Sequence, residues 1–341
     1  MNEHIAVVGV DLAKNVFQIC GASHSGKRLL NKKISRAKLL SFFANLPCCL
    51  VGMEACSSAH YWAREIRKLG HDVKLIPPQF VKPYVKSNKN DAADADAICE
   101  AVTRPTMRFV TIKSEEQQAL LLLHRDRKGL VGERSAIANR LRASLAEFGL
   151  IIPVGMHKLQ AWLRHDYGSY ENLLPVMMRL HLQRLASRLA QVDRQIREIE
   201  QAIKQYNPDI EMTKRLQEVP GIGPLTASAL VATIKDGSSF KSGREFAAWL
   251  GLVPRQHSSG GKDRLLGISK RGDTYLRTLF IHGARAVLKH MNPKRAMTPW
   301  LKELIGRRHR NVVIVALANK LSRIAWALMS KGERYEEQYN F

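Results

Sequence analysis

Over the first hundred residues the apolar positions fall in short runs separated by turn-forming residues, the pattern of strands rather than long helices. Residues 5–11, 15–23 and 27–34 read as three strands, with Ser25-Gly26-Lys27 as a tight turn between the second and third. Ser35 is placed to cap a helix over 36–45 that Pro47 ends, and Cys48–Met53 is a fourth strand closing with Glu54. A helix over 58–69 stops at Gly70, Asp72–Ile76 is a fifth strand stopped by Pro77-Pro78, and a helix opens at Asp91. The order βββαβαβα is that of an RNase H-like fold, with the first strand in mid-sheet and the fourth beside it.

Beyond residue 113 the period changes to that of helices. Ser114-Glu115-Glu116-Gln117 has the form of a capping box and opens one long helix over 114–149. Arginines and lysines lie between its apolar positions, either as a solvated face or as a track for phosphates. Residues 149–157 break the pattern as a linker. Met178, Leu182, Leu185, Leu189, Val192, Ile196, Ile199 and Ile203 then alternate spacings of four and three, a heptad seam that fits a coiled coil within the chain or between protomers. We expect the seam to lie between protomers. Further helices are expected over 209–218, 274–291 and 309–330, with a long polar loop over 255–273.

Charge adds a partner to this picture. Lysine and arginine number 54 against 30 acidic residues, and 45% of the chain is hydrophobic, so a folded protein carries a net charge of +24. A surface of that sign points to a polyanion, most simply nucleic acid. The five cysteines lie in the first hundred residues without a CxxC pair, and we expect buried free thiols in a reducing compartment. The chain opens without a signal peptide and shows no run of about 18 apolar residues; the expectation is a soluble, intracellular protein.

Candidate chemistry sits at the ends of these elements. Asp11 leaves the first strand and Glu54 the adjacent fourth at the same edge, while Asp91 and Asp94 share a helix face. Four converging carboxylates repel one another unless a divalent cation joins them. The plainer alternatives are a turn cap for Asp11 and favourable charges at a helix start for Asp91 and Asp94, the role also expected of Asp96. Val219-Pro220-Gly221-Ile222-Gly223-Pro224 has the form of a helix-hairpin-helix, in which Gly221 and Gly223 let backbone N–H groups meet a phosphate; an αα-corner used only for packing is the alternative. In the loop 255–273, Ser258-Ser259-Gly260-Gly261 is ringed by Lys262, Arg264, Lys270 and Arg271, which suits a phosphodiester but also fits a flexible basic loop.

Together these stretches resemble a known family. Gly9-Val10-Asp11-Leu12-Ala13-Lys14, Met53-Glu54-Ala55, Asn90-Asp91-Ala92-Ala93-Asp94-Ala95, Pro220-Gly221-Ile222-Gly223 and Gly251-Leu252-Val253-Pro254 through Ser259-Gly260 to Lys270-Arg271-Gly272 are similar, in order and spacing, to the IS110-type insertion-sequence transposases, most of all their IS1111 branch. The resemblance implies a RuvC-like DEDD domain over 1–150 that holds Mg²⁺ or Mn²⁺ through Asp11, Glu54, Asp91 and Asp94. It implies a coiled-coil linker over 151–207 and a helical transposase domain with a helix-hairpin-helix over 208–341, where Ser259 is the nucleophile by fit to a Ser-Gly motif. Donor and target DNA, a non-coding bridge RNA as guide, and a homo-oligomer between dimer and tetramer are its implied partners, with no membrane and a bacterial, nucleoid-associated location. A metal-dependent junction nuclease needs the carboxylates without Ser259, and a non-enzymatic nucleic-acid-binding protein needs neither.

Overall fold

Strand β1 (Val7–Asp11) is the middle of a five-stranded sheet with β2 (Val16–Ala22), β3 (Arg28–Ser35), β4 (Leu50–Glu54) and β5 (Asp72–Ile76). The order is β3-β2-β1-β4-β5. The first three strands run antiparallel to one another, and β1, β4 and β5 run parallel, as the βββαβαβα reading predicts. The computed structural model describes residues 4–85, 90–207, 209–290 and 298–335. Met291, the expected end of one helix, and the outer limits 1, 208 and 341 of the expected domains lie outside them.

One face of the sheet packs Val8, Val10, Phe17 and Ile19 against α1 (Leu39–Ala44) and α2 (Ala59–Lys68). The turn before α1 is a 3-10 turn, and Ser35 makes no side-chain cap bond there, unlike the expectation. After α3 (Pro78–Val81), the other face takes α4 (Asp91–Ala101), which lies on Val7, Cys20 and Ala22 through Ala95, Ile98 and Cys99. Gly9 and Gly52 let α4 come so close. A Cβ on Gly9 would stand 2.5 Å from the Cys99 nitrogen and against the Ala95 carbonyl, and one on Gly52 2.8 Å from the Val102 Cβ. Cys20, Cys49 and Cys99 are buried free thiols, but Cys48 and Cys56 are exposed, unlike the expectation of burial for all five.

The division into compact units falls between Ser114 and Glu115. In the second unit α5 (Glu115–Ala146) and α8 (Val176–Gln205) form an antiparallel hairpin, joined at one end by α6 (Met156–His165) and α7 (Tyr167–Tyr170). The ion pairs Arg127–Glu200, Arg134–Asp193 and Arg188–Glu133 mark its register. The heptad seam is therefore covered by the same chain: Met178, Leu182, Leu185, Leu189, Val192 and Ile196 share a core with Ile137, Leu141 and Leu145 of α5. The expected seam between protomers is thus replaced by an internal one, since a stripe of this period is equally satisfied by an intrachain partner.

The rest of the unit is a helical cluster of α9 (Ile210–Gln217), α10 (Pro224–Ile234), α11 (Gly243–Trp249), α12 (Thr274–His290), α13 (Pro299–Arg307) and α14 (Arg310–Lys331) around Phe246, Phe280, Leu317 and Leu321. By length and composition α14 is apolar enough to cross a membrane, with a mean hydropathy of 1.6 over its best window, although Asn319, Lys320, Ser322 and Arg323 interrupt its apolar run. Half of that window is buried in the helical core, where an apolar helix has protein to pack against. The polar loop expected over 255–273 is mostly a two-stranded ribbon, β6 (Pro254–Gln256) against β7 (Leu265–Ile268).

Candidate active site and nucleic-acid interface

Parallel pairing puts Asp11 and Glu54 at matching places. Val7 faces Leu50 and Val10 faces Met53, and each acid follows one residue later at the carboxyl end of its strand. Alternation along the strands sends Asp11 with Val7 and Gly9, and Glu54 with Leu50 and Gly52, to the face that α4 covers. Both carboxylates reach the neighbourhood of Cys56, whose thiol is pushed up first by desolvation and then by the charges of Glu54 and Asp11.

Helix α4 brings the other two acids to that end of the sheet. Its Cys99 lies over Val7 and Gly9 and its Ala95 over Gly9, so the helix runs antiparallel to β1 with its first turn toward Asp11. Asn90 caps that turn, its side-chain oxygen accepting from the Ala93 N–H at 2.8 Å. Asp91 and Asp94 occupy the turn. The Asp91 carboxylate is 3.5 Å from Lys33 Nζ, and Lys33 continues the cross-strand row Asp11–Gln18–Lys33. Asp96 turns away to Arg28 at 3.2 Å. Sequence reading missed Gln18 and Lys33; strand alternation counted across the sheet was the signal for both.

The donor set suits a hard cation: four carboxylates, from two strand ends and one helix start, on one face. Among the described residues no three metal-binding side chains stand close enough to hold one ion as they are. The four acids are brought to one end of the sheet by their backbones, with Asp91 paired to Lys33.

In the second unit the ribbon presents Ser259. Ser259-Gly260-Gly261-Lys262 is a two-residue hairpin turn, closed by the Lys262 N–H donating to the Ser259 carbonyl at 3.1 Å. Gly260 and Gly261 have φ of +56° and +75°, the positive pair that this turn demands. Ser258 is committed to the ribbon: its oxygen accepts from the Arg264 N–H at 3.3 Å and from Gln256 Nε2 at 3.0 Å. Ser259 stands exposed at the tip with Lys262 and Arg264 exposed on the returning strand, while Lys270 and Arg271 are exposed at the ribbon's base beside Gly251. None of those four cations is ion-paired among the described residues. Arg277, which sequence reading also missed, fixes the base. It is buried on α12 and donates to the carbonyls of Leu250 and Arg271, both at 2.9 Å, and to Thr274 Oγ1 at 3.2 Å. Its three-residue spacing from Phe280, on a buried helix face, was the available signal.

The helix-hairpin-helix glycines divide in role. Gly221 has φ of +90° and lies against α12, where a Cβ would stand 2.8 Å from Val287 Cγ2. Gly223 is exposed with open space around it, at the N-cap of α10.

Comparison with known proteins agrees along the whole chain. Residues 213–300 match the family described as Transposase IS116/IS110/IS902 family, and residues 8–149 match the DEDD domain of IS110 transposases, described as Transposase. The chain is similar to a probable family 20 transposase of Pseudomonas aeruginosa, with 50% identity over 97% of this chain and 99% of that protein. It is 46% identical to the transposase for insertion sequence element IS1328 of Yersinia enterocolitica, over 96% of this chain and 98% of the relative. To the transposase for insertion sequence element IS1111A of Coxiella burnetii it is 44% identical, over 97% and 91%.

Proposed function

Because the chain belongs to the IS116/IS110/IS902 family of transposases, we propose that it moves an insertion sequence by cutting and exchanging DNA strands with Ser259 as nucleophile. The observation that carries this reading is the ribbon tip. Ser259 is held exposed on a two-residue turn, with Lys262 closing the turn and Arg264 on the returning strand, while the neighbouring Ser258 oxygen accepts two hydrogen bonds within the ribbon.

Attack by Ser259 Oγ on a phosphodiester forms one P–O bond and breaks another. The hydroxyl proton leaves to solvent or a base, and the departing strand oxygen takes one up. Breaking one ester while making another keeps a phosphodiester that a second strand end can reopen. Lys262 and Arg264 neutralise charge on the phosphate as it becomes five-coordinate, and Lys270 and Arg271, at the ribbon's base, hold the nucleic-acid backbone farther along the strand. Asp11, Glu54, Asp91 and Asp94 would hold Mg²⁺ or Mn²⁺, which when bound polarises a phosphate and stabilises a leaving oxygen. Gly223 and the start of α10 contact the DNA backbone, while Gly221 shapes the turn.

Choice of donor and target sequence falls to a non-coding guide RNA, with the protein holding backbone and shape, as the family resemblance implies and the +24 charge supports. Action on DNA assigns the protein to the bacterial nucleoid. A homo-oligomer, dimer to tetramer, draws support from Ile151, Val154, Leu173 and Met177, apolar residues exposed at the same end of the α5–α8 hairpin.

The test is a covalent adduct trapped on a nicked suicide substrate. Ser259→Ala should abolish adduct and cleavage with folding intact, Asp11→Asn should abolish both, and Ser258→Ala should retain the adduct. Cleavage surviving in Ser259→Ala would make the protein a metal nuclease in which water attacks. An adduct lost in Ser258→Ala alone would move the nucleophile by one residue.

A further inference from the structure

Beside the ribbon, the second unit has a groove of about 1300 Å³ that the chemistry above does not use. Leu266 and Ile268 of β7 form one wall, and α14 with α11 forms the other. Its lining is chiefly apolar, with Trp300 of α13 exposed within it. Arg244, Lys320 and Arg323 are its charged members among the described residues. Lys320 Nζ sits 5.0 Å from the Trp300 ring centroid. Burial first, and then the charge of Arg323, push the Lys320 ammonium down. Cations gathered on an apolar wall beside an exposed indole are complementary to an anion that also has a flat apolar face.

A nucleotide has both parts, but a paired and stacked one hides its base. We propose that this groove is a subsite for an unstacked nucleotide of single-stranded DNA, with the base against Trp300 and the phosphate at Arg244, Lys320 and Arg323. Positive grooves with aromatic platforms bind single strands in this way and tolerate any base sequence. The inference rests on the reading that the Ser259 ribbon works on a DNA strand, because that ribbon is the groove's wall. A strand seated there has its next nucleotides led along the ribbon, and its unpairing is favoured where cutting takes place.

The test uses the full chain and a DNA 12-mer of mixed sequence carrying 2-aminopurine, against a duplex of the same sequence. Stacking on Trp300 should quench the 2-aminopurine on binding. Trp300→Ala should weaken single-strand binding about tenfold and remove the quench, with duplex affinity within about twofold, and Trp300→Phe should keep most of both. Arg244 and Arg323 are exposed, so the double variant Arg244→Gln/Arg323→Gln should fold normally. It should weaken the single strand and lower the salt slope by about 0.7 for each phosphate no longer neutralised. Single-strand binding within twofold of wild type in that double variant, or an RNA 12-mer that displaces the DNA and quenches in its place, overturns the assignment. Ser259→Ala should bind the 12-mer like wild type. Loss of the adduct in Ser259→Ala beside unchanged binding in the groove variants sinks the groove alone. An adduct that persists in Ser259→Ala beside abolished groove binding sinks the nucleophile alone.

Discussion

At the scale of single residues, Arg277 shows what holds the ribbon in place. Its guanidinium satisfies two carbonyls that flank the ribbon, Leu250 before it and Arg271 after it. Arg277→Met keeps much of the volume and leaves both carbonyls without that donor. The loss should cost about 3 kcal/mol, in the range for unsatisfied buried groups. Urea unfolding should show it, and limited proteolysis should nick near residues 259–262 in the variant before the wild type. Asp11 and Glu54 were legible in the sequence because an acid closing an apolar run stands out. Arg277 was not, because a lone arginine among apolar helix positions looks like one more surface charge until the carbonyls it meets are known. Between Ser258 and Ser259 only the fit to a Ser-Gly motif chose in the sequence; the ribbon adds that the Ser258 oxygen accepts two hydrogen bonds while Ser259 stands exposed at the turn.

Among elements, the hairpin α5–α8 is joined to the helical cluster through a buried histidine. His124 of α5 lies between Tyr275 Oη of α12 at 2.9 Å and Ser228 Oγ of α10 at 3.0 Å. Burial, aided by the charge of Arg127, lowers its pKa to about 4. An unfolded histidine takes its proton near 6.5, so between those values the unfolded chain binds more protons and stability falls as the pH falls. The loss should approach ~3 kcal/mol by pH 4. His124→Gln should flatten it, measured as the urea midpoint from pH 7.5 downward against wild type. The heptad stripe of α8 was legible as a stripe, but periodicity names a buried face and is silent about which helix buries it. The ribbon was read as a loop because its strands are short, exposed and rich in charge, and so lack the apolar alternation by which strands are recognised.

For the molecule as a whole, the excess of cations governs how tightly nucleic acid is held. Each phosphate neutralised releases a counterion, so a fully engaged complex should lose affinity steeply with salt, with slopes near 0.9 per phosphate on duplex DNA. Removing Lys262 and Arg264 together should lower that slope by about 2 and weaken all sequences alike, measured by anisotropy from 50 to 300 mM salt. Charge and class of partner were legible from composition. The division at Ser114 coincides with the change to helical period read beyond residue 113, and the buried Leu120 of α5 packs with Ile203 and Ala232 in the second unit. The packing of α4 on the sheet carries a consequence for mobile genes. A bulky side chain at Gly9 or Gly52 would lift α4, with Asp91 and Asp94, from the strands that carry Asp11 and Glu54. On the mechanism proposed above, a gene copy that keeps all four acids and the serine would then be inactive through one missing glycine.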